Sequence, residues 1–417
     1  MSCLFSPLSG AATASAPSAY SATLRIRRIS WMLTVLLCAV SLWTVLSPAS
    51  LRAQTSTNLP TPVALSGVLQ GSDGNYYSPT ANNGREIYCW KSNGGYNLCG
   101  ALYQTPTTGP AKLLFDFSPA LITNGSAPNP LIEGPDGNFY GTTTLGGPTD
   151  CDCGVFFKID QAGTFTILHT FERAEFQQTE AYRSGNPIVH LVLGSDGNFY
   201  GFSAPNSAGA VFKLTPSGDF SLLVNFWNNI ANGGGFIPSG LIEASDGNFY
   251  ISVQGYSGSP GNYPNAGGFI YRMTPSGTST LVASFPGDGS LGFDPNGDLA
   301  QGPDGSIYGV TRGGGDANAL PTIYKYTPGG AIQTLYTFPA TGENGKSLLS
   351  GLILGSDGYL YGTSPDGSSA VCYRGCGTAF RISTTGNFSV IHAFQGGADG
   401  GSPSSPIIQS SDGTITG

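Results

Sequence analysis

Only 10% of the 417 residues are charged, against roughly 25% in ordinary soluble domains, while Gly alone accounts for 62 of them. A hydrophobic share of 40% with many Tyr and Phe is enough for a large core, which excludes a disordered chain. The net charge of −8 makes nucleic acid and anionic lipid surfaces poor partners.

In chain order, the first feature is an export signal. Arg25, Arg27 and Arg28 precede the apolar run at 29–46, and "SLRAQ" offers a small-residue cleavage point after Ala53. Residues 1–53 are therefore expected to be a signal peptide, with an uncleaved N-terminal anchor as the alternative, since 18 apolar residues can span a bilayer. Arg27-Arg28 matches a twin-arginine signal only weakly. Removing this leader takes away four Arg and no acid, leaving a net charge near −12. No second apolar stretch is long enough to cross a membrane, so the mature chain is expected to have no span unless the leader is retained. The expected location is secreted, periplasmic or cell-surface. Residues 54–62 read as a linker.

Residues 63–417 rewrite one unit. "GPDGNFYG" at 134–141 returns as "GSDGNFYG" at 194–201, and Asp73, Asp136, Asp196, Asp246, Asp304, Asp357 and Asp412 fall in register at separations of 50 to 63 residues. That period points to a repeat architecture. Each copy divides into four strand-like pieces, which in the third copy are 187–194, 198–203, 210–215 and 220–226. The Asp-Gly dipeptide predicts a two-residue type I′ hairpin, with positive φ at both central residues. "TPSG" at 215–218 and 274–277, and "TPGG" at 327–330, predict the turn between the third and fourth strands. Helical periodicity is absent. The fold class is therefore all-β, a β-propeller of four-stranded antiparallel blades. Six copies are complete, from Val63 to Phe394, and the seventh supplies only the two strands in 406–417. A seven-bladed ring with an unfinished last blade is favoured, and six blades with a surplus hairpin is the alternative. The recurrent pairs Phe139-Tyr140, Phe199-Tyr200 and Phe249-Tyr250 are expected to fill the gaps between blades.

The string "P-L-I-x-G-x-D-G-N-F-Y-G…G-x-V-F-K-I…G…L-x-x-F", nearly intact at 130–171, resembles the tandem repeat of secreted bacterial proteins of the GloVer-containing, choice-of-anchor group. The resemblance covers essentially all of 63–417. It implies an exported repeat protein with variable means of surface attachment, and brings no catalytic residues with it. This sequence shows no C-terminal anchor or sorting tail of the kind the group's name suggests.

Strand alternation puts the first and third turns at one end of every blade, and the second turn and the blade-to-blade crossing at the other. The first and third turns are short throughout, so length variation collects at the second end, where recognition is expected. Trp90, Tyr96, Trp227, Tyr256 and Tyr263 lie in those connections and are the ligand-binding candidates, with Asn-rich neighbours at 227–232 suited to sugar. The competing reading is that they pack the loops. Six cysteines fall there as local pairs: Cys89/Cys99, Cys151/Cys153 and Cys372/Cys376. Export permits disulfides. The Cys151/Cys153 ring would be tight, with a metal site or free thiols as alternatives, and no Cys-plus-His spacing supports zinc.

Glu133 and Glu243 end first strands at the position held elsewhere by Gln70, Gln301 and Gln409. Across a channel two carboxylates could serve as acid and base in glycoside cleavage, against the plainer reading of a solvated ring. The turn aspartates lack the alternating-oxygen pattern of a calcium loop. His169 and His392 share an outer-strand slot, His190 lies on a first strand, and they form no triad or three-histidine site. The charged crossing at 172–185 reads as a short helix, a docking loop or a solvated insertion. No metal and no cofactor is implied. The function expected is an extracellular or cell-surface binding and scaffold module for a glycan or surface protein, rather than an enzyme. The alternative is a polysaccharide hydrolase or lyase at the channel mouth.

Overall fold

The computed structural model describes residues 67–80, 88–90, 96–117, 122–148, 153–176, 191–203, 209–226, 236–255, 267–313, 320–339, 350–367, 372, 375–403 and 406–416, with only the backbone described at 88–90, 96–98, 173 and 398. Six antiparallel sheets follow one another along the chain, each ordered first, second, third, outer. The third is representative: Val192–Leu193, Phe199–Ser203, Ala210–Leu214 and Phe220–Asn225. The second adds Ser126–Pro128 alongside Phe139–Leu145. A seventh unit contributes Ile408–Gln409 paired with Ile415–Thr416. The chain is a β-propeller of four-stranded antiparallel blades, six of them complete.

The Asp-Gly turn departs from expectation. Among the described residues only Ala127, Asp294 and Ser402 are non-glycine residues with positive φ, so none of the turn aspartates has it, while Gly74, Gly137, Gly197, Gly247, Gly305, Gly358 and Gly413 all do. Gly137 N–H donates to the Gly134 carbonyl, and Gly134 N–H donates to the Asn138 carbonyl, a pattern repeated in every unit. This is a type I turn closed by a left-handed glycine, a three-residue hairpin with a G1 bulge, rather than type I′. The reason lies in the aspartate, whose carboxylate accepts the N–H two residues on and so holds its own backbone in the right-handed region. It also explains why Pro135 and Pro303 are tolerated: they occupy the second turn position, which Pro's fixed φ suits.

The aromatic pairs do bridge blades. The Tyr of one blade meets the Phe of the next, with ring centroids 3.9 Å apart for Tyr77–Phe139, 4.4 Å for Tyr140–Phe199 and 4.0 Å for Tyr200–Phe249. Successive residues of one strand thus belong to two different interfaces, which is why both are large and apolar. Tyr361 continues the series against Ile415 of the seventh unit.

Every pairing of third and outer strands carries a register shift at one place, as between Phe156/Phe157 and Val211/Phe212. The extra outer-strand residue, such as Leu114, Leu223 or Leu335, turns its carbonyl towards the third turn of the following blade. A Cβ built on Gly163 would lie 2.7 Å from the Leu114 oxygen, one on Gly277 3.1 Å from that of Leu223, and one on Gly386 3.0 Å from that of Leu335. Those glycines therefore meet two demands at once, positive φ and close backbone approach.

Candidate functional site

At the Asp-Gly end, each turn forms a knot. Asp136 accepts the Asn138 N–H, the Asn138 side-chain amide at 2.6 Å and the Tyr140 hydroxyl at 2.9 Å. Burial opposes ionisation of Asp136, but the hydrogen bonds from Asn138 and Tyr140 outweigh it and hold the carboxyl below its ordinary value. Burial, together with the hydrogen bond to that carboxylate, pushes Tyr140 up to about 12. Asp73 and Asp196 repeat the arrangement with Tyr77 and Tyr200, and Asp246 accepts the Asn248 N–H and the Tyr250 hydroxyl while the Asn248 side-chain amide donates to the Asp246 carbonyl. In the fifth blade Ser306 replaces the Asn, and Lys325 closes on Asp304 at 2.7 Å. Among the described residues no group of His, Cys, Asp and Glu is arranged to hold a metal.

Glu133 and Glu243 stand beside these knots in a role the sequence reading missed. Glu133 takes the Ser72 N–H at 2.7 Å and also the Ser72 hydroxyl; Glu243 takes the Ser195 N–H at 2.6 Å and its hydroxyl at 2.7 Å. Each carboxylate therefore spends both oxygens clamping the preceding blade. Gln301, Gln409 and Gln70 do the same with Ser245, Ser356 and Ser411, at 2.8, 2.7 and 2.8 Å. Their Nε2 groups donate to the glycine carbonyls of their own turns. What the geometry makes here is a set of clamps between successive units at the Asp-Gly end.

The opposite end holds the second connections. In the first blade, Tyr88–Trp90 and Tyr96–Leu98 pair as an added hairpin, with Trp90 directly opposite Tyr96 in the register. Trp227, Tyr256 and Tyr263 lie outside the described residues. Cys372 and Cys376 form a disulfide, and Cys99 and Cys153 are disulfide-bonded too, which excludes free thiols at those positions. Only the backbone of Cys89 is described, and Cys151 lies outside the described residues. Cys99, Cys153 and Cys376 each precede the glycine that opens a third strand, and Gly100, Gly154 and Gly377 accept the N–H of Phe117, Phe171 and Phe394. The Cys372–Cys376 disulfide thus anchors a second connection to the sheet at that point.

Both outer-strand histidines secure the crossing that follows. His169 Nε2 lies 3.0 Å from Glu175, whose other carboxylate oxygen accepts the Glu172 N–H. His392 lies 3.0 Å from Asp399, which accepts the Gln395 N–H. The charged stretch after Phe171 begins as a short 3-10 helix, Arg173–Phe176, so the crossing does start helically. The spacing His-x5-Glu and His-x6-Asp was visible in the sequence, but only the bulge and the following turn bring the partners together.

The Gloeobacter/Verrucomicrobia repeat matches residues 64–261 and again 237–417, which is most of the chain. The chain belongs to that repeat family. Among solved structures it is similar to the extracellular domain of a hybrid two-component system from B. thetaiotaomicron, at 12% identity and a TM-score of 0.50, covering 86% of this chain and 38% of that one. It is also similar to a periplasmic gluconolactonase from Pseudomonas aeruginosa, at 13% identity and a TM-score of 0.48, covering 82% and 86%. A Penicillium chrysogenum alpha-L-arabinanase complexed with arabinobiose gives 13% identity, 0.44, and 76% and 92%. At these identities the likeness is one of fold. The repeat chain spans well under half the length of the first of these proteins. No curated protein matches it. Among the described residues, no helix is long and apolar enough to cross a membrane.

Proposed function

We propose that this repeat protein is exported and acts outside the cytoplasm as a binding and scaffold module, with its ligand met at the end that carries the second connections. The observation behind this reading is the contrast between the two ends. At one, the blades spend their polar groups on closely similar turn knots and, wherever the turn carries Ser before its Asp, on the same clamps. At the other, the connections differ in length from blade to blade, and the Cys372–Cys376 disulfide ties one of them to the sheet. Disulfides favour an oxidising compartment, and a rigid scaffold with varied loops is the usual setting for recognition. Trp90 opposite Tyr96 offers paired aromatic positions suited to a sugar face, which makes a glycan the ligand of choice. Commitment of both oxygens of Glu133 and Glu243 weighs against the hydrolase alternative, because a general acid or base needs access to substrate.

The same reading takes the ring as seven-positioned, with Ile408–Gln409 and Ile415–Thr416 as part of a seventh blade. The bonds Ser356 to Gln409 and Ser411 to Gln70, with Tyr76 and Ser410 hydroxyls 2.9 Å apart, support a place between the sixth and first blades. Glycan-array binding by the full chain is expected to fall at least ten-fold in Trp90→Ala and Trp227→Ala. Binding unchanged in both variants, or no retained glycan at all, refutes the glycan reading.

A further inference from the structure

The structure assigns blade order and ring closure to a matched residue pair repeated at every junction, a device that rests on the seven-positioned ring and goes beyond the binding role. One member is the residue before the turn aspartate, and the other is the last residue of the next blade's first strand. Where the turn has Ser72, Ser195, Ser245, Ser356 or Ser411, the facing position is Glu133, Glu243, Gln301, Gln409 or Gln70, and the serine N–H is bonded to it at 2.6 to 2.8 Å. Where the turn has Pro135 or Pro303, the next first strand ends in Leu193 or Leu354. Proline has no N–H to give, so a Gln or Glu opposite it would leave an acceptor idle. A leucine facing serine would leave that N–H to solvent and forgo the bond between units. The rule holds from the first blade round to the seventh unit and back to the first, across 341 residues of sequence for Ser411 and Gln70.

The two polar versions differ in what they need. Glutamate takes the serine N–H and hydroxyl together, and glutamine takes the N–H while donating to its own turn glycine. Glu and Gln are therefore interchangeable against Ser, and neither suits Pro. At the seventh-to-first junction this pair, with the Tyr76–Ser410 contact, acts as a noncovalent clasp. Ile407 and Ile415 hold the other side of the unit against Tyr361 and Ile353.

The test uses the full chain, with backbone amide exchange followed on peptides covering 406–417 and thermal midpoints measured alongside. Gln70→Leu should speed exchange at 411–413 roughly ten-fold, the factor that loss of one such bond carries, while Gln70→Glu stays near the parent. Unchanged exchange in Gln70→Leu overturns the clasp and the seven-positioned ring together. At an interior junction, Leu193→Gln alone should lower the midpoint, and adding Pro135→Ser should recover it. Failure of that rescue, with the Gln70 result intact, overturns the pairing rule while leaving the ring reading standing.

Discussion

Two glycines in the second blade separate backbone conformation from blade packing. Gly137 has φ of 73° with nothing within 4 Å of a Cβ added there; Gly163 has φ of 89° and its Cβ would meet the Leu114 carbonyl oxygen at 2.7 Å. Gly137→Ala carries only the left-handed penalty of roughly 1–2 kcal/mol, partly offset by about 0.4–1 kcal/mol from a stiffer unfolded chain. A net loss of about 1 kcal/mol is expected. Gly163→Ala carries the same penalty plus an overlap of about 0.7 Å with backbone that cannot rotate away, worth about 1–3 kcal/mol more on the scale of overpacked interiors. At about 2 °C per kcal/mol for a domain this large, thermal midpoints should fall by about 2 °C and about 4–8 °C. Equal losses in the two variants would refute the claim that third-turn glycines are selected by contact between blades.

Asp196→Ala and Tyr200→Phe should couple, because the hydroxyl and carboxylate are 2.8 Å apart; a double-mutant cycle by denaturant unfolding is expected to return about 1–2 kcal/mol, and additive losses would remove the knot as a stabilising unit. Acid should weaken the fold from the Asp-Gly end. Asp73, Asp136, Asp196 and Asp246 are held below the ordinary value of 3.8, and Asp304 is held to about 2. Because their folded values lie below the unfolded one, their contribution is complete above about pH 5 and is lost as pH falls through 3.8 towards 2. A midpoint flat between pH 5 and pH 2.5 would contradict this.

The blade was legible because its signals are local. Asp-Gly, Thr-Pro-Ser-Gly and the Phe-Tyr pair sit within a few residues of what they shape, and the third-copy strands at 199–203, 210–214 and 220–225 fall inside the predicted pieces. The turn type was misjudged because the dipeptide alone does not reveal that the aspartate binds its own downstream N–H. The roles of Glu133 and Glu243 were hidden for a different reason, since Ser72 and Ser195 are 61 and 48 residues away. The Ser/Pro alternation opposite Gln, Glu or Leu was nonetheless present in the seven aligned copies. Of the aromatic candidates, Trp90 and Tyr96 proved to share a hairpin register, which spacing alone could not fix across residues 91–95.

The extra residue in each outer strand also changes the edge that each blade presents. A straight outermost strand would present an even row of unpaired amides and carbonyls, a template on which another chain could add. Six identical kinks break that row on every side. Copies of this weakly charged protein could then crowd together without their rims zipping into aggregates.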